Sequence, residues 1–144
     1  MNQIKFRKYN KKEKTLSIGG AIYYSKDEDK TYYQDNCENL YDETDYIISQ
    51  YTGLRDKKNK EIYEGDIIKL INPDFFRNEE NRNYLLNNKI QVRYSLDSSG
   101  NYPWAGFTLI RMNPVDLEDG IILDCMSCQA IKIIGNIWEN PELL

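Results

Sequence analysis

The sequence predicts a mainly β fold, organised as a small barrel or roll with an additional N-terminal β element and few short helical turns. Short apolar runs recur between clusters of turn residues, and no stretch sustains the helical period. The 144 residues include 12 tyrosines, which suit half-buried pleated surfaces because the ring packs while the hydroxyl stays wet. Apolar residues make up 40% of the chain and charged residues 29%, as in a soluble globular protein with a hydrophobic core.

The N-terminal β element is predicted over residues 1–50. Residues 4–9 alternate apolar and basic side chains, and residues 15–24 resume β character after a polar break, so together they predict a hairpin. The pair Gly19-Gly20 predicts a bulge or a second turn that splits the latter run in two. Residues 25–45 are acidic and rich in tyrosine. We predict a long excursion there with one short strand, packed on the barrel.

The barrel is predicted over residues 51–144, and the two parts together form one compact structural unit. Residues 66–71 are an apolar strand that must end at Asn72-Pro73, because proline removes a backbone donor and restricts the residue before it. Residues 74–88 are polar and rich in asparagine. They predict an insertion that contains one helical turn.

The clearest strand pattern in the chain lies after this insertion. Alternation there points Ile90, Val92 and Tyr94 inward. Further strands are predicted at residues 104–112, 121–123 and 130–137. Near the C-terminus, Asn140 is a candidate N-cap with Pro141 at the first helical position, which predicts a single terminal turn.

Several function classes are excluded by what the chain lacks. It contains no histidine, so nucleophiles activated by histidine and metal sites built on histidine are absent. Neither the GxGxxG nor the GxxxxGKS/T phosphate motif is present. We therefore predict a protein that is not an enzyme and that binds no cofactor. The net charge of −4 also argues against a generic nucleic-acid-coating protein, since such proteins are usually basic overall.

The cysteines offer one candidate metal or redox motif. Cys125 and Cys128 form a CxxC pair, and Cys37 supplies only a third thiolate, whereas tetrahedral zinc needs four ligands. A redox pair would need a helix N-terminus to lower its pKa, and strand-like runs flank this pair instead. We predict ordinary buried or half-buried thiols and no metal. A zinc knuckle shared between subunits is the alternative.

Two carboxylates flank a glycine in the segment Glu64-Gly65-Asp66. A glycosidase-type acid pair requires two carboxyl groups about 5–10 Å apart across a cleft, which a sequence cannot show. The structural interpretation of Asp66 is favoured instead. An aspartate after a glycine caps a turn by accepting hydrogen bonds from nearby backbone N–H groups before a strand begins. No catalytic residue is predicted.

A basic run precedes this acidic segment and predicts the candidate binding site. Lys58-Asn59-Lys60 reads as a hairpin tip, since asparagine tolerates a positive φ. A basic tip can contact phosphates, although such a tip is more often a solvated turn. The candidate partner-binding residues are Tyr51, Arg55, Lys57, Lys58, Lys60 and Tyr63.

The charge is uneven along the chain. Residues 1–14 carry six lysines and arginines against the single acid Glu13, whereas residues 27–45 carry eight acids against Lys30 alone. This pattern indicates either two solvated edges that attract each other or a basic face for an acidic partner.

The segment YTGLRDKKNKEIYEGDIIKL, residues 51–70, resembles the core signature of the YopX family of phage and prophage proteins, roughly Q-Y-T-G-L-x-D-K-x-G-K-E-I-Y-E-G-D-I-V. The matching residues are Gln50, Tyr51, Thr52, Gly53, Leu54, Asp56, Lys57, Lys60, Glu61, Ile62, Tyr63, Glu64, Gly65, Asp66 and Ile67. IKFR at the start and IGNIWENPELL at the end agree as well, whereas residues 72–129 carry little of the resemblance. The chain departs from the pattern at Asn59, where glycine is common, and at Ile68, where valine is usual.

The resemblance implies an SH3-like β-barrel and a phage-encoded accessory protein, and it suggests homo-oligomerisation. It implies no reaction and no catalytic residue. We predict a non-enzymatic protein-binding module that engages a host or phage protein. The alternative is a nucleic-acid-binding protein that uses the basic N-terminal strand and the tip Lys57–Lys60. The chain has no apolar run of about 20 residues and no secretory signal, so we expect it in the bacterial cytoplasm with no membrane partner.

Overall fold

The computed structural model describes residues 5–34, 37, 39–42, 45–97, 104–111, 121–125 and 127–143. These residues form a mainly β protein, which confirms the predicted class. The chain packs as two compact units, Met1–Gly53 and Leu54–Leu144. No helix in the described part is long and apolar enough to cross a membrane.

The first unit contains short antiparallel strands in two sheets. The strands are β1 (Phe6–Asn10), β2 (Thr15–Ile18), β3 (Ala21–Ser25), β4 (Lys30–Gln34), β5 (Leu40–Asp42) and β6 (Tyr46–Arg55). β1 lies between β2 and β6 in one sheet, β4 lies between β3 and β5 in the other, and β6 continues into the second unit. The predicted first hairpin is confirmed by the β1–β2 pair. The acidic segment holds two strands, β4 and β5, where the sequence predicted one.

Gly19 and Gly20 separate β2 from β3, which confirms the second of the two alternatives for this pair. Their φ values are 107° and 99°, in the region that glycine adopts without strain. A Cβ atom at Gly20 would also overlap the backbone oxygen of Gln34. The turn therefore requires a glycine for reasons of both conformation and space.

Lys8 is buried, although a lysine in a short strand would be expected to reach water. Its ammonium group lies over three tyrosine rings, at 5.4 Å from the centroid of Tyr33, 3.1 Å from that of Tyr41 and 4.7 Å from that of Tyr46. Aromatic faces attract cations, so the cluster of tyrosines provides a favourable environment for this buried charge. These three tyrosines thus surround a buried charge inside the first unit.

The second unit is built on one five-stranded antiparallel sheet. The strands of this unit are β7 (Glu61–Tyr63), β8 (Asp66–Leu70), β9 (Ile90–Asp97), β10 (Trp104–Arg111), β11 (Ile121–Ile122) and β12 (Ile131–Asn136). All of them except β7 belong to the five-stranded sheet. The sheet order is β11-β10-β9-β8-β12, and β7 lies beside β6. Among the described residues, 3-10 helices also occur at Pro73–Phe75, Ser127–Ala130 and Pro141–Leu143. The last of these confirms the predicted terminal turn, whereas the SH3-like description of the sheet stays a prediction.

One face of this sheet carries the core of the second unit. Buried aliphatic side chains come from β8, β9, β10 and β12, and they are joined by side chains from β7 and from helical segments. The central members are Ile62, Ile68, Leu85, Ile90, Val92, Leu109 and Ile131. Tyr94 lies on the same face of β9 as Ile90 and Val92, as predicted, but it is 42% exposed. It lies near the end of β9 and contacts Phe107 edge to face at 5.4 Å.

The insertion forms a longer helix than the sequence predicted. α1 spans Glu79–Asn87. Its N-cap is Asn78, whose side-chain oxygen accepts a hydrogen bond from the N–H of Asn81 at 3.1 Å. Two glutamates in the first turn stabilise the helix, because their negative charges lie at the positive end of its dipole. Leu85 packs into the core. Tertiary packing thus outweighs the weak helix propensity of the asparagines.

Candidate functional site: a lysine-rich hairpin tip

The turn between β6 and β7 is organised around the buried carboxylate of Asp56, which is 4% exposed. Its Oδ1 accepts hydrogen bonds from the backbone N–H groups of Lys58 at 2.8 Å and Lys60 at 2.9 Å. Asn59 has a φ of 65°, which confirms the predicted hairpin tip, and its N–H donates to the backbone oxygen of Asp56 at 2.8 Å. The conformation of the tip is therefore set by one side chain.

The same carboxylate fastens the tip to the edge strand β12. Oδ2 of Asp56 accepts a hydrogen bond from the N–H of Ile133 at 3.0 Å, across 77 positions of sequence. The N–H of Lys57 donates to the backbone oxygen of Ile131 at 3.3 Å. β8 pairs with one edge of β12, and residues 56–57 bond to the other edge. An edge that is covered in this way has fewer unpaired backbone groups to offer another strand.

Three lysines project from this fastened turn. Lys57, Lys58 and Lys60 are all exposed, and within the described residues none of their ammonium groups has an acidic partner. The backbone N–H groups of residues 57–60 are all engaged. The tip can therefore bind an anion only through its flexible, positively charged side chains.

The other three candidate residues are placed differently. Arg55 forms an ion pair with Glu61, with Nη2 at 2.6 Å from Oε1, and Nη1 donates to the backbone oxygen of Asn59 at 3.0 Å. Tyr63 is only 2% exposed, and its hydroxyl donates to Oε2 of Glu61 at 2.9 Å. Tyr51 belongs to the first unit, where the ammonium group of Lys5 lies 5.5 Å from its ring centroid. Arg55 and Tyr63 thus support the tip rather than extend its free surface.

The acidic segment after β7 has the structural role that the sequence predicted. Oδ2 of Asp66 accepts a hydrogen bond from the N–H of Tyr63 at 2.8 Å, and Asp66 is buried. This bond confirms the predicted cap. Glu64 accepts a longer hydrogen bond, 3.3 Å, from the N–H of Tyr94. The two carboxylates are thus engaged with backbone donors.

Gly65 joins the signature segment to the C-terminal segment. Its N–H donates to the backbone oxygen of Val92 at 2.8 Å, and its own oxygen accepts from the N–H of Ile137 at 3.0 Å. Its φ is 81°, and a Cβ atom there would overlap the indole ring of Trp138. Asn136 holds the following turn, because its Oδ1 accepts from the N–H groups of Trp138 at 3.0 Å and Glu139 at 2.8 Å. The two segments that resemble the family signature therefore pack against each other.

The CxxC pair contains one exposed and one buried thiol. Cys125 and Cys37 are exposed, which corrects the prediction of buried or half-buried thiols, whereas Cys128 is buried. Burial raises the pKa of the Cys128 thiol to about 12, and the charges of Asp124, Cys125 and Asp56 contribute further. The described residues contain no group of three or more side chains placed to hold a metal ion. Cys128 thus behaves as a small core residue.

The difference between the thiols leads to a test with iodoacetamide at about pH 8, since the thiolate is the reactive form. We expect Cys37 and Cys125 to be modified and Cys128 to stay unmodified, because burial shields the Cys128 thiol and raises its pKa well above that pH. Mass spectrometry of the peptides measures this, and denatured protein, in which all three should react, is the control. A Cys128 that reacts as fast as Cys125 would contradict its burial.

The raised pKa of Cys128 also sets a pH dependence of stability. A thiol whose pKa is higher in the folded than in the unfolded protein favours folding fully below its unfolded pKa. That contribution is lost as the pH rises through the folded value. We therefore expect this stabilisation to decline between about pH 9 and about pH 12.

Taken together, these features define a small, mainly β protein whose second unit presents a fastened lysine-rich tip beside a five-stranded antiparallel sheet. The family model described as "YopX protein" matches residues 5–144. The chain belongs to the YopX family, which confirms the resemblance found in its sequence.

One solved structure similar to the chain is the crystal structure of protein EF1440 from Enterococcus faecalis. The two chains share 21% sequence identity with a TM-score of 0.47, and the alignment covers 100% of this chain and 99% of that one. No curated protein matches the chain. The descriptions of the family and of this structure name no activity.

Proposed function

We propose that the chain is a non-enzymatic protein-binding module whose hairpin tip contacts an acidic surface of its partner. The observation that carries this proposal is the set of three exposed lysines, Lys57, Lys58 and Lys60, on a turn fixed by Asp56. Flexible side chains on a fixed turn lose little backbone entropy on binding. The repulsion among the three lysines is offset by the hydrogen bonds of Asp56 that fix the turn.

The chemistry of the tip favours carboxylate groups as its targets. Lysine provides a compact point charge, whereas arginine provides the planar fork that matches a phosphate in a bidentate way. Arg55, the one arginine of the turn, is already held by Glu61 and Asn59. An acidic protein surface with several separated carboxylates therefore fits the tip well, and such binding should weaken as salt is added.

Membership of the family supports a phage or prophage origin, as the resemblance implies. In that setting the partner is a host or phage protein in the bacterial cytoplasm. Homo-oligomerisation, which the resemblance also suggests, belongs to the same proposal. Light scattering of the purified chain measures it directly.

The alternative function, nucleic-acid binding, relies on the same tip and on the basic N-terminal strand. In that strand Arg7 and Lys8 are buried, which removes two cations from the surface that this alternative needs. The two functions differ in a simple experiment. Binding of single- or double-stranded nucleic acid at ~50 mM salt, where phosphate contacts are strongest, would favour the alternative.

The tip itself is tested by a triple substitution, Lys57→Gln, Lys58→Gln and Lys60→Gln, called the tip variant below. Proteins captured from infected host cells by the wild-type chain should be lost with the tip variant, because the partner's carboxylates lose their cations. We expect at least about a tenfold loss of captured protein, the equivalent of about 1.4 kcal/mol. Equal capture by both chains would overturn the proposal.

The matched control for this experiment is Lys12→Gln with Lys14→Gln, called the control variant below. Both lysines are exposed and lie in the turn between β1 and β2, within the first unit. The control variant should capture the same proteins as the wild type. A loss as large as that of the tip variant would show that net charge, and not the tip, carries the binding.

A further inference from the structure

Two lysines lie side by side in the five-stranded sheet, and a third, Lys89, directly precedes the neighbouring strand β9. Lys69 in β8 is directly opposite Lys132 in β12. The register of β8 with β9 pairs Ile68 with Ile90, so one further step places Lys89 beside Lys69. Successive side chains of a strand alternate between faces, and the neighbours of these lysines are core residues. Lys69 and Lys132 therefore lie on the face opposite this core cluster, a face on which Ile67 and Ile110 are also buried. Lys69, Lys132 and Lys89 are called the lysine row below.

The lysine row leads to the hairpin tip. Lys132 lies between Ile131 and Ile133, the two residues of β12 that bond to the tip. Across the sheet, the order of elements is therefore β9, β8, β12 and then residues 56–57. The tip lysines therefore extend the lysine row beyond β12. The lysine row and the tip belong to the same unit.

This arrangement is unfavourable for the isolated protein. Like charges directly opposite each other on neighbouring strands destabilise a sheet. Lys69 is exposed and Lys132 is half-buried, and in the described part of the chain neither has an acidic partner. Lysines often protect edge strands from aggregation, but Lys69 lies in β8, which has a strand on each side. Edge protection therefore does not account for the pair.

Exposed aliphatic side chains flank the lysine row. Ile71, two positions beyond Lys69, is 40% exposed, and Ile134, two positions beyond Lys132, is 43% exposed. Because β8 and β12 are antiparallel, the two isoleucines lie on opposite sides of the row. Single-stranded nucleic acids are bound by stacking on aromatic rings, and these flanking residues are aliphatic. The composition fits a protein segment with both carboxylates and apolar side chains.

We propose that the lysine row and the tip form one continuous surface that binds an extended acidic segment of a partner protein. Carboxylates of the segment lie on Lys69, Lys132 and the tip lysines, and its apolar side chains contact Ile71 and Ile134. The inference rests on the proposed function and extends it from the tip to the sheet. Complementary charge is the basis of the assignment.

The test uses the full chain and a fluorescein-labelled peptide of alternating glutamate and leucine, followed by fluorescence anisotropy at low salt. The row variant carries Lys69→Gln and Lys132→Gln. We expect it to bind the peptide about fivefold to tenfold more weakly than the wild type, and the control variant to bind as the wild type does. We also expect the melting temperature of the row variant to equal or exceed that of the wild type, because a repulsive pair is removed.

The outcomes separate the lysine row from the tip. If the tip variant loses binding and the row variant does not, the row proposal is overturned and the tip remains. If only the row variant loses binding, the tip does not contact the peptide, and both the proposed function of the tip and the continuous surface are overturned. Equal losses in the row and control variants, or no binding of the peptide by the wild type at low salt, would overturn the row proposal. Tighter binding of a single-stranded DNA oligonucleotide than of the peptide would overturn the proposal and show that the surface binds nucleic acid.

Discussion

Replacing Asp56 with alanine should lower the free energy of unfolding by about 3 kcal/mol, because hydrogen bonds to a buried charged acceptor are among the strongest that a mutation can remove. Three backbone N–H groups depend on this carboxylate, those of Lys58, Lys60 and Ile133. The donors at the exposed tip can turn to water. The N–H of Ile133 is buried and would lose its partner, which is the larger part of the cost.

The substitution Asp56→Asn separates the two functions of the carboxylate. An amide has one oxygen, so it can accept either from the tip or from Ile133, and its NH₂ group then faces a donor. We expect a loss of about 2 kcal/mol and faster hydrogen exchange at Ile133 or at the tip amides. Chemical denaturation and exchange measured by NMR provide the data.

Asp74→Ala is the matched control for both Asp56 variants. Asp74 is exposed at the first turn of a 3-10 helix, so its removal should change the free energy of unfolding by no more than about 0.5 kcal/mol. An Asp56→Ala protein that is as stable as the control would contradict the role assigned to this carboxylate.

Replacing Gly65 with alanine should be equally damaging, with an expected loss of about 3 kcal/mol. Two costs add, namely strain at a φ of 81°, about 1 kcal/mol, and overlap of the new Cβ with the ring of Trp138, about 1–3 kcal/mol. Relief of the overlap would require the C-terminal turn held by Asn136 to move. Chemical denaturation measures the loss.

Gly53 provides the control that separates strain from overlap. Its φ is 85°, and a Cβ atom there would meet nothing within 4 Å. Gly53→Ala should therefore cost only the strain, about 1 kcal/mol. Equal losses from the two substitutions would show that Trp138 does not constrain Gly65.

Local chemistry made several features of the second unit predictable. Asn59 marks the tip because asparagine accepts the left-handed conformation, and its φ of 65° agrees. Asp66 was expected to cap a turn and accepts a backbone hydrogen bond three residues back. The strand ends at Asn72-Pro73 and the final turn at Pro141 follow from the restrictions that proline imposes. In each case the cause lies within a few residues of the effect.

Features that depend on distant residues were not predictable. Nothing near Asp56 in the sequence indicates its bond to Ile133, since the contact spans 77 positions. The opposition of Lys69 and Lys132 depends on strand register, which two separate apolar runs do not specify. The burial of Lys8 was not predictable, because its tyrosine partners come from three later strands. Signals of this kind require the pairing of strands to be known.

The candidate binding residues differ in how accessible they are. Lys57, Lys58 and Lys60 are exposed together, as a binding tip requires. Arg55 and Tyr63 were selected for their chemical types, yet each is engaged by Glu61. Successive side chains of a strand point to opposite faces. Tyr63 is therefore buried although it is close in sequence to the exposed tip.

We propose that the signature segment is a scaffold and that its exposed lysines perform recognition. The most direct measurement takes the tip variant and determines its free energy of unfolding and its capture of partner proteins in the same preparation. The backbone hydrogen bonds of the tip do not involve the lysine side chains. Stability should therefore stay within about 0.5 kcal/mol of the wild type while capture is lost. A variant that keeps its partner, or that loses stability together with binding, would contradict this proposal.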